Sequence, residues 1–391
     1  MQKGAIPLLA APGLPSLASL WRHGARTARL FDGLIPELHG SAVEVSGEHV
    51  VHARSQARAD RARVLWCAAF VMTVPSTPPR PSSASAPGLE SKRFLIVTGK
   101  GGVGKTTVCA AEALALAQKG KRVLIAMCNA KERLSTMLGS ELIGPEVTPV
   151  APNVWAVNMD PTRALEEYGA MMLKSRALYK LLFDNKYVRT FFRAVPGMQE
   201  WTLLGKAWWH TTETREDGSP LYDVVILDAP ATGHGLDMLR VPKVILDVVP
   251  PGLLRRDAER AWQLFQDPNT CAVVLVTLPE EMPTTETIEL ARALEQELKL
   301  PIGKIVVNCV LPPLFSKQER ATLEDVQPVT IESPPDAAVM AGRSRAMRES
   351  VQASALTRLA KELPVPPSFL PQLFEDAAQP KAIRELAKRV G

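Results

Sequence analysis

From residue 93 onward the chain alternates short apolar runs with longer stretches of helical character. Phe94-Leu95-Ile96-Val97-Thr98 has the length and texture of a strand. A glycine-rich turn follows, then a helical stretch over 106–119. Gly120 closes it as a residue just past a helix end does. Further strand-like runs lie at 122–126, 224–227, 272–277 and 304–307, with a helical pattern at 285–298 between the last two. Strands alternating with helices predict βαβ units and an α/β fold with a doubly wound, mostly parallel sheet. Between about 161 and 210 the pattern is helix-rich without a strand signal, which predicts an inserted helical subdomain. No internal repeat is present, and the glycine-rich motif occurs once.

Residues 1–90 have a different texture. They carry scattered arginines, the histidines His23, His39, His49 and His52, and a Pro/Ser run from Val74 to Ser85. Proline removes a backbone donor and fixes φ, so that run cannot hold a helix or a central strand and predicts a disordered linker. The acids Asp32, Glu37, Glu44, Glu48, Asp60 and Glu90, and the lack of a cleavage-like pattern, speak against a targeting peptide. Met72 stands just before the Pro/Ser run, and everything recognisable follows it. Residues 1–90 therefore read as a disordered extension, or one whose first 71 residues are an upstream mis-assignment, and 91–391 as the folded domain.

Composition narrows the classes. Of 391 residues, 46% are hydrophobic and 22% charged, ample material for a core. No stretch approaches the roughly 18 apolar residues of a membrane-spanning helix. The net charge is only +5 and no dense basic face is visible, so no nucleic-acid partner is expected. The five cysteines, Cys67, Cys109, Cys128, Cys271 and Cys309, include no C-x-x-C pair. A disulfide framework and a zinc-finger arrangement both fail, and a reducing, cytoplasmic setting fits.

Gly99-Lys100-Gly101-Gly102-Val103-Gly104-Lys105-Thr106-Thr107 fits G-x-x-x-x-G-K-[ST], with a strand before it and a helix after it. Such a loop curls its N–H groups around an anion, and the helix start adds a favourable dipole. Lys105 is placed for the β/γ-phosphates and the Thr106 hydroxyl for Mg²⁺. The second half of a nucleotide site is Tyr222-Asp223-Val224-Val225-Ile226-Leu227-Asp228, an apolar strand ending in a carboxylate. Asp228 is placed to hold Mg²⁺ through water. Gly233, just beyond, can give an N–H to the γ-phosphate and move when that phosphate leaves.

The form K-G-G-x-G-K-T-T, with Lys100 ahead of Lys105, resembles the deviant Walker A of partitioning, nitrogenase-iron-protein and arsenite-pump ATPases. The run from Asp228 through Ala229-Pro230-Ala231-Thr232-Gly233-His234-Gly235-Leu236 to Pro242 resembles the switch of the arsenical-pump-driving ATPase family. That family includes the ATPase that delivers tail-anchored membrane proteins. Pro196-Gly197-Met198-Gln199-Glu200 and Val306-Val307-Asn308 resemble two further family segments, and Glu286 falls on a helix where the family carries a glutamate. The resemblance implies a P-loop NTPase fold and a Mg-ATP-dependent dimer that opens and closes, either a homodimer or a pair with a related chain. It implies that Lys100 reaches the phosphates of a partner subunit, that Asn308 reads adenine and that His234 is a switch residue.

The pattern also breaks. The family has S-T-D-P-A-H after its second strand, its Asp orienting the attacking water; here Cys128-Asn129-Ala130-Lys131-Glu132-Arg133 stands there. An amide holds water but cannot take its proton. General-base help is worth ~10²–10⁴-fold, so slow hydrolysis is expected unless Asp228 or Glu132 compensates. The family's zinc C-x-x-C and arsenite cysteines are not recognisable. Met171, Met172, Leu173, Leu178, Leu181, Leu182, Phe183, Phe191, Phe192 and Met198 make the insertion Met- and Phe-rich. They suit either a groove for a protein cargo or packing onto the sheet. Other readings stay open: a partitioning or positioning ATPase using 380–390 as an amphipathic membrane helix, a non-hydrolytic nucleotide-sensing subunit, or an iron-protein-like electron carrier, against which the cysteine spacing speaks.

Overall fold

The computed structural model describes residues 88–172, 197–374 and 378–390. The Pro/Ser run and the apolar positions between 173 and 196 lie outside the described residues. The strands are β1 (Phe94–Thr98), β2 (Val123–Cys128), β3 (Thr148–Ala151), β4 (Val154–Met159), β5 (Val224–Asp228), β6 (Cys271–Thr277), β7 (Ile302–Val310) and β8 (Pro367–Pro371). They form one eight-stranded sheet in the order β3-β4-β2-β5-β1-β6-β7-β8. Among the described residues of this sheet, only the β3–β4 pairing is antiparallel.

Both faces of this sheet are covered, which is why its central strands run apolar up to their carboxyl ends rather than alternating. The two-residue period then sorts their side chains. Phe94, Ile96, Leu124, Ala126, Val225 and Leu227 enter one core layer, and Leu95, Val97, Ile125, Met127, Val224 and Ile226 the other. The helices are α1 (Lys105–Gln118), α2 (Leu134–Leu138), α3 (Pro161–Met172), α4 (Met198–His210), α5 (Thr232–Val248), α6 (Leu253–Gln266), α7 (Glu281–Arg292), α8 (Lys317–Glu324), α9 (Pro334–Glu362) and α10 (Pro380–Val390). The first layer is filled by α4, α5, α6 and α7, through residues such as Trp201, Met238, Phe265 and Leu290. The second is filled by α1, α2 and α10, through Val108, Leu116, Met137 and Leu386.

Three strands join the five anticipated ones, all toward the sheet margins. β8 carries Pro367 and Pro371, which an outermost strand tolerates because one side of it makes no ladder. The C-terminal helix corrects one alternative. Ile383, Leu386, Ala387 and Val390, the apolar side of α10, are buried against α1 and α2 rather than open to a membrane. The Lys304 ammonium ties the end of α10 down, donating to Val390 O while it pairs with the buried Glu112 of α1. No helix of the described residues is long and apolar enough to cross a membrane.

The two edges of the sheet are built differently. At the amino edge, Arg122 grips Asp223 through Nε at 2.9 Å and Nη2 at 2.7 Å, and its own backbone N–H donates to the same carboxylate. This pins the starts of β2 and β5. At the carboxyl edge, Val97 of β1 and Met127 of β2 both register with Asp228 of β5. The chain leaves β1 toward β2 and later continues from β5 to β6 on the opposite side of β1. Ligands of open α/β sheets sit outside the carboxyl ends at such a reversal.

Candidate functional site

The loop after β1 is shaped by close approach. Gly99 has φ +149°, and a Cβ there would lie 2.1 Å from Val276 O of β6. Gly104 has φ +90° and caps the start of α1 without a side chain, leaving the first-turn N–H groups to an outside anion. Val103 is buried beneath the loop, Gly101 and Gly102 are exposed, and Gly101 lies against Ala231, the residue before α5. Thr107 is half-buried in the first turn of α1. Gly233 and His234 are exposed in the first turn of α5.

Lys105 folds back over this loop. Its Nζ donates to Gly99 O and Lys100 O, each at 3.1 Å. Burial pushes its ammonium below the usual lysine value, and the charge of Asp228 opposes that. Thr106 Oγ1 donates to Asp228 Oδ2 at 2.6 Å, joining the start of α1 to the end of β5. Asp228 is nearly fully buried, and desolvation raises its carboxyl above the ordinary value. The Thr106 hydroxyl, the Lys105 charge and the Cys109 thiol pull it back. Cys109 was not anticipated at this site. It sits one turn along α1, fully buried, and burial and the neighbouring carboxylate push its thiol well up.

Lys100 and Glu286 of α7 form an ion pair within the one chain, each side chain about 30% exposed. Glu286 stood out in the sequence by its place, but nothing in the sequence paired it with a lysine 186 residues away. Asn308, buried at the far end of β7, donates from Nδ2 to Val103 O at 3.0 Å. The structure thus brings together the loop, Lys105, Thr106, Asp228 and Asn308.

The loop after β2 differs from expectation in its supports. Asn129 is exposed with φ +46°, and its N–H donates to Met159 O at 3.0 Å. Asn158 of β4 pairs its carboxamide with the N–H and carbonyl of Ala130, fixing the next peptide. Both carboxylate oxygens of Glu132 are taken by Ser135, one by its N–H at 2.8 Å and one by its hydroxyl at 2.6 Å. Glu132 therefore braces α2.

Residues 92–250 match the family described as Anion-transporting ATPase. The chain is 30% identical over 238 residues to ATPase BagA of Mycobacterium tuberculosis, covering 60% of this chain and 69% of that protein. The chain belongs to the ArsA-like anion-transporting ATPase family. It is also 30% identical over 241 residues to a putative arsenical pump-driving ATPase of Halobacterium salinarum, 57% of this chain and 36% of that one. To ATPase GET3B of Arabidopsis thaliana it is 24% identical over 278 residues, 58% and 66% of the two chains. The family match takes in the glycine loop, Asn129 and the run after Asp228. Glu286 and Asn308 lie beyond it.

Proposed function

We propose that this chain is a Mg-ATP-dependent switch that works as a dimer, hydrolyses ATP slowly and couples the cycle to a protein cargo or a membrane partner. The observation that carries the reading is the 2.6 Å hydrogen bond from Thr106 to Asp228, which joins the phosphate loop to the acidic strand end. The two oxygens suit Mg²⁺: the hydroxyl as a direct ligand and the buried carboxylate through water. Bound there, Mg²⁺ would neutralise charge on the β- and γ-phosphate oxygens.

The chain's own residues do the rest. The N–H groups of the loop and first turn of α1 hold the polyphosphate, and Lys105 exchanges two carbonyls for phosphate oxygens as charge develops. Water attacks the γ-phosphate in line, and Gly233 is placed to move with the phosphate's departure. Lys100, once released by Glu286, supplies a second cation across the interface to a second copy or a related chain. A cytoplasmic location, with membrane contact only through the partner, fits this reading.

A second reading, a nucleotide-held switch without turnover, is favoured by Asn129 and by the engagement of both Glu132 oxygens. Sedimentation of the purified chain with and without nucleotide tests the dimer reading. Mg-ATP should raise the sedimenting mass to that of a dimer and Mg-ADP should not. A mass that stays that of a monomer with either nucleotide would overturn it.

A further inference from the structure

Asn308 does something beyond any contact with a base. Its Nδ2 donates to the carbonyl of Val103, and a Cβ on Gly104 would lie 2.4 Å from that same nitrogen. The amide is therefore pressed against the peptide joining Val103 to Gly104. That peptide has Gly104 at φ +90° on one side, with Gly102 at φ +85° one residue further back from Val103, so on its glycine side no Cβ stops it from flipping. A trans peptide is planar, with its C=O and N–H pointing in opposite directions. Holding the Val103 carbonyl toward β7 thus holds the Gly104 N–H on the other side. Among the described residues that N–H has no backbone acceptor.

The support behind Asn308 is firm. The chain leaving β7 is clamped by α9, where Gln352 accepts from Leu311 N–H at 2.8 Å and donates to Leu311 O at 2.9 Å. The buried Glu349 accepts from Leu314 N–H at 2.8 Å. An amide carried on this clamp, two strands away from β1, is a fixed post rather than a mobile side chain.

We infer that Asn308 is a positioning residue for polyphosphate: it sets the Val103–Gly104 peptide so that the loop presents N–H groups to the anion before any ligand arrives. This deepens the nucleotide reading and rests on it. A residue that only read adenine would not affect a ligand without a base, so inorganic tripolyphosphate is the probe.

Binding of tripolyphosphate and of ATP, both with Mg²⁺, would be measured for the full chain, N308D and N308A. N308D keeps the size of the side chain and an acceptor for an adenine amino group, but sets a charged oxygen against the Val103 carbonyl and adds repulsion toward the polyphosphate, so N308A is the variant that isolates positioning. Both variants should bind tripolyphosphate about 5- to 10-fold more weakly, with ATP falling by at least the same factor. N308A carries the test should N308D fail to fold. Unchanged tripolyphosphate affinity with weakened ATP would overturn the inference and leave a base contact alone. A lower melting temperature with both affinities intact would also overturn it, by making the bond merely structural. A parent chain that binds neither ligand would overturn the nucleotide reading itself.

Discussion

The loops that leave β1 and β2 emerge at the same edge of one sheet and were built to different ends. The first is held along its length: Gly99 against β6, Val103 by Asn308, and Lys105 by two loop carbonyls, with Thr106 beside it on Asp228, while Gly101 and Gly102 stay exposed. The second has a rigid backbone, fixed by Asn158 and by the brace of Glu132 on Ser135, but offers an exposed amide at Asn129 and no free carboxylate. The contrast separates two tasks that a nucleotide hydrolase must perform. Gripping polyphosphate needs preset N–H groups and cations, which the first loop has. Activating water needs a positioned proton acceptor, and in the second loop the carboxylate of Glu132 is engaged by Ser135.

The sharpest break of this comparison is Lys105→Ala. It removes the half-buried ammonium and should weaken Mg-ATP binding by roughly 100-fold or more, since charge-assisted bonds to phosphate are among the strong ones. Calorimetric titration measures it, and affinity within about threefold of the parent would mean that the loop is not the grip. Glu286→Gln has a smaller expected effect. A partly exposed ion pair contributes up to ~1 kcal/mol, so freeing Lys100 should raise the ATP-dependent dimer fraction or turnover up to about fivefold. A fall instead would mean that Glu286 aims Lys100 rather than holding it back.

The smallest effect lies at the opposite edge of the sheet. Arg122 hydrogen-bonds Asp223 and holds its carboxyl at about 2, below the ordinary 3.8. A depressed carboxyl stabilises the fold above its unfolded value, and that contribution is lost as pH falls from about 4 towards 2. Asp223→Asn should therefore lower the unfolding free energy by ~1 kcal/mol at neutral pH, after allowance for solvent screening. The difference should vanish in acid. Urea melts across that range give the answer, and ATP affinity should not change, because the pin touches neither loop.

The fold was legible where the sheet is covered on both sides. β1, β2, β5 and β6 read as apolar runs because both of their faces are buried, and β7 reads through the buried Ile305, Val306 and Val307 at its centre. β3, β4 and β8 escaped notice for physical reasons. β3 is a four-residue strand, β4 breaks its apolar run at Asn158, and β8 is bounded by prolines that only an outer strand admits. At the site, the glycine loop and Asp228 were legible because each is local in sequence and its chemistry demands particular residue types. The partners that tune them were not. Glu286 meets Lys100, Asn308 meets Val103, and Cys109 meets Asp228 through the topology of the sheet, across 186, 205 and 119 residues respectively. The apolar stripe at 380–390 was legible as amphipathic, but only α1 and α2 could show what covers it.

The central claim is that grip and attack are separable in this chain, and Asn129→Asp tests it most directly. ATP affinity and single-turnover hydrolysis would be measured side by side for the parent and this variant. The account predicts an affinity unchanged within about threefold and a hydrolysis rate raised by ~10²-fold, the low end of what a positioned proton acceptor contributes. An affinity that shifts tenfold, or a rate that does not rise, would contradict it.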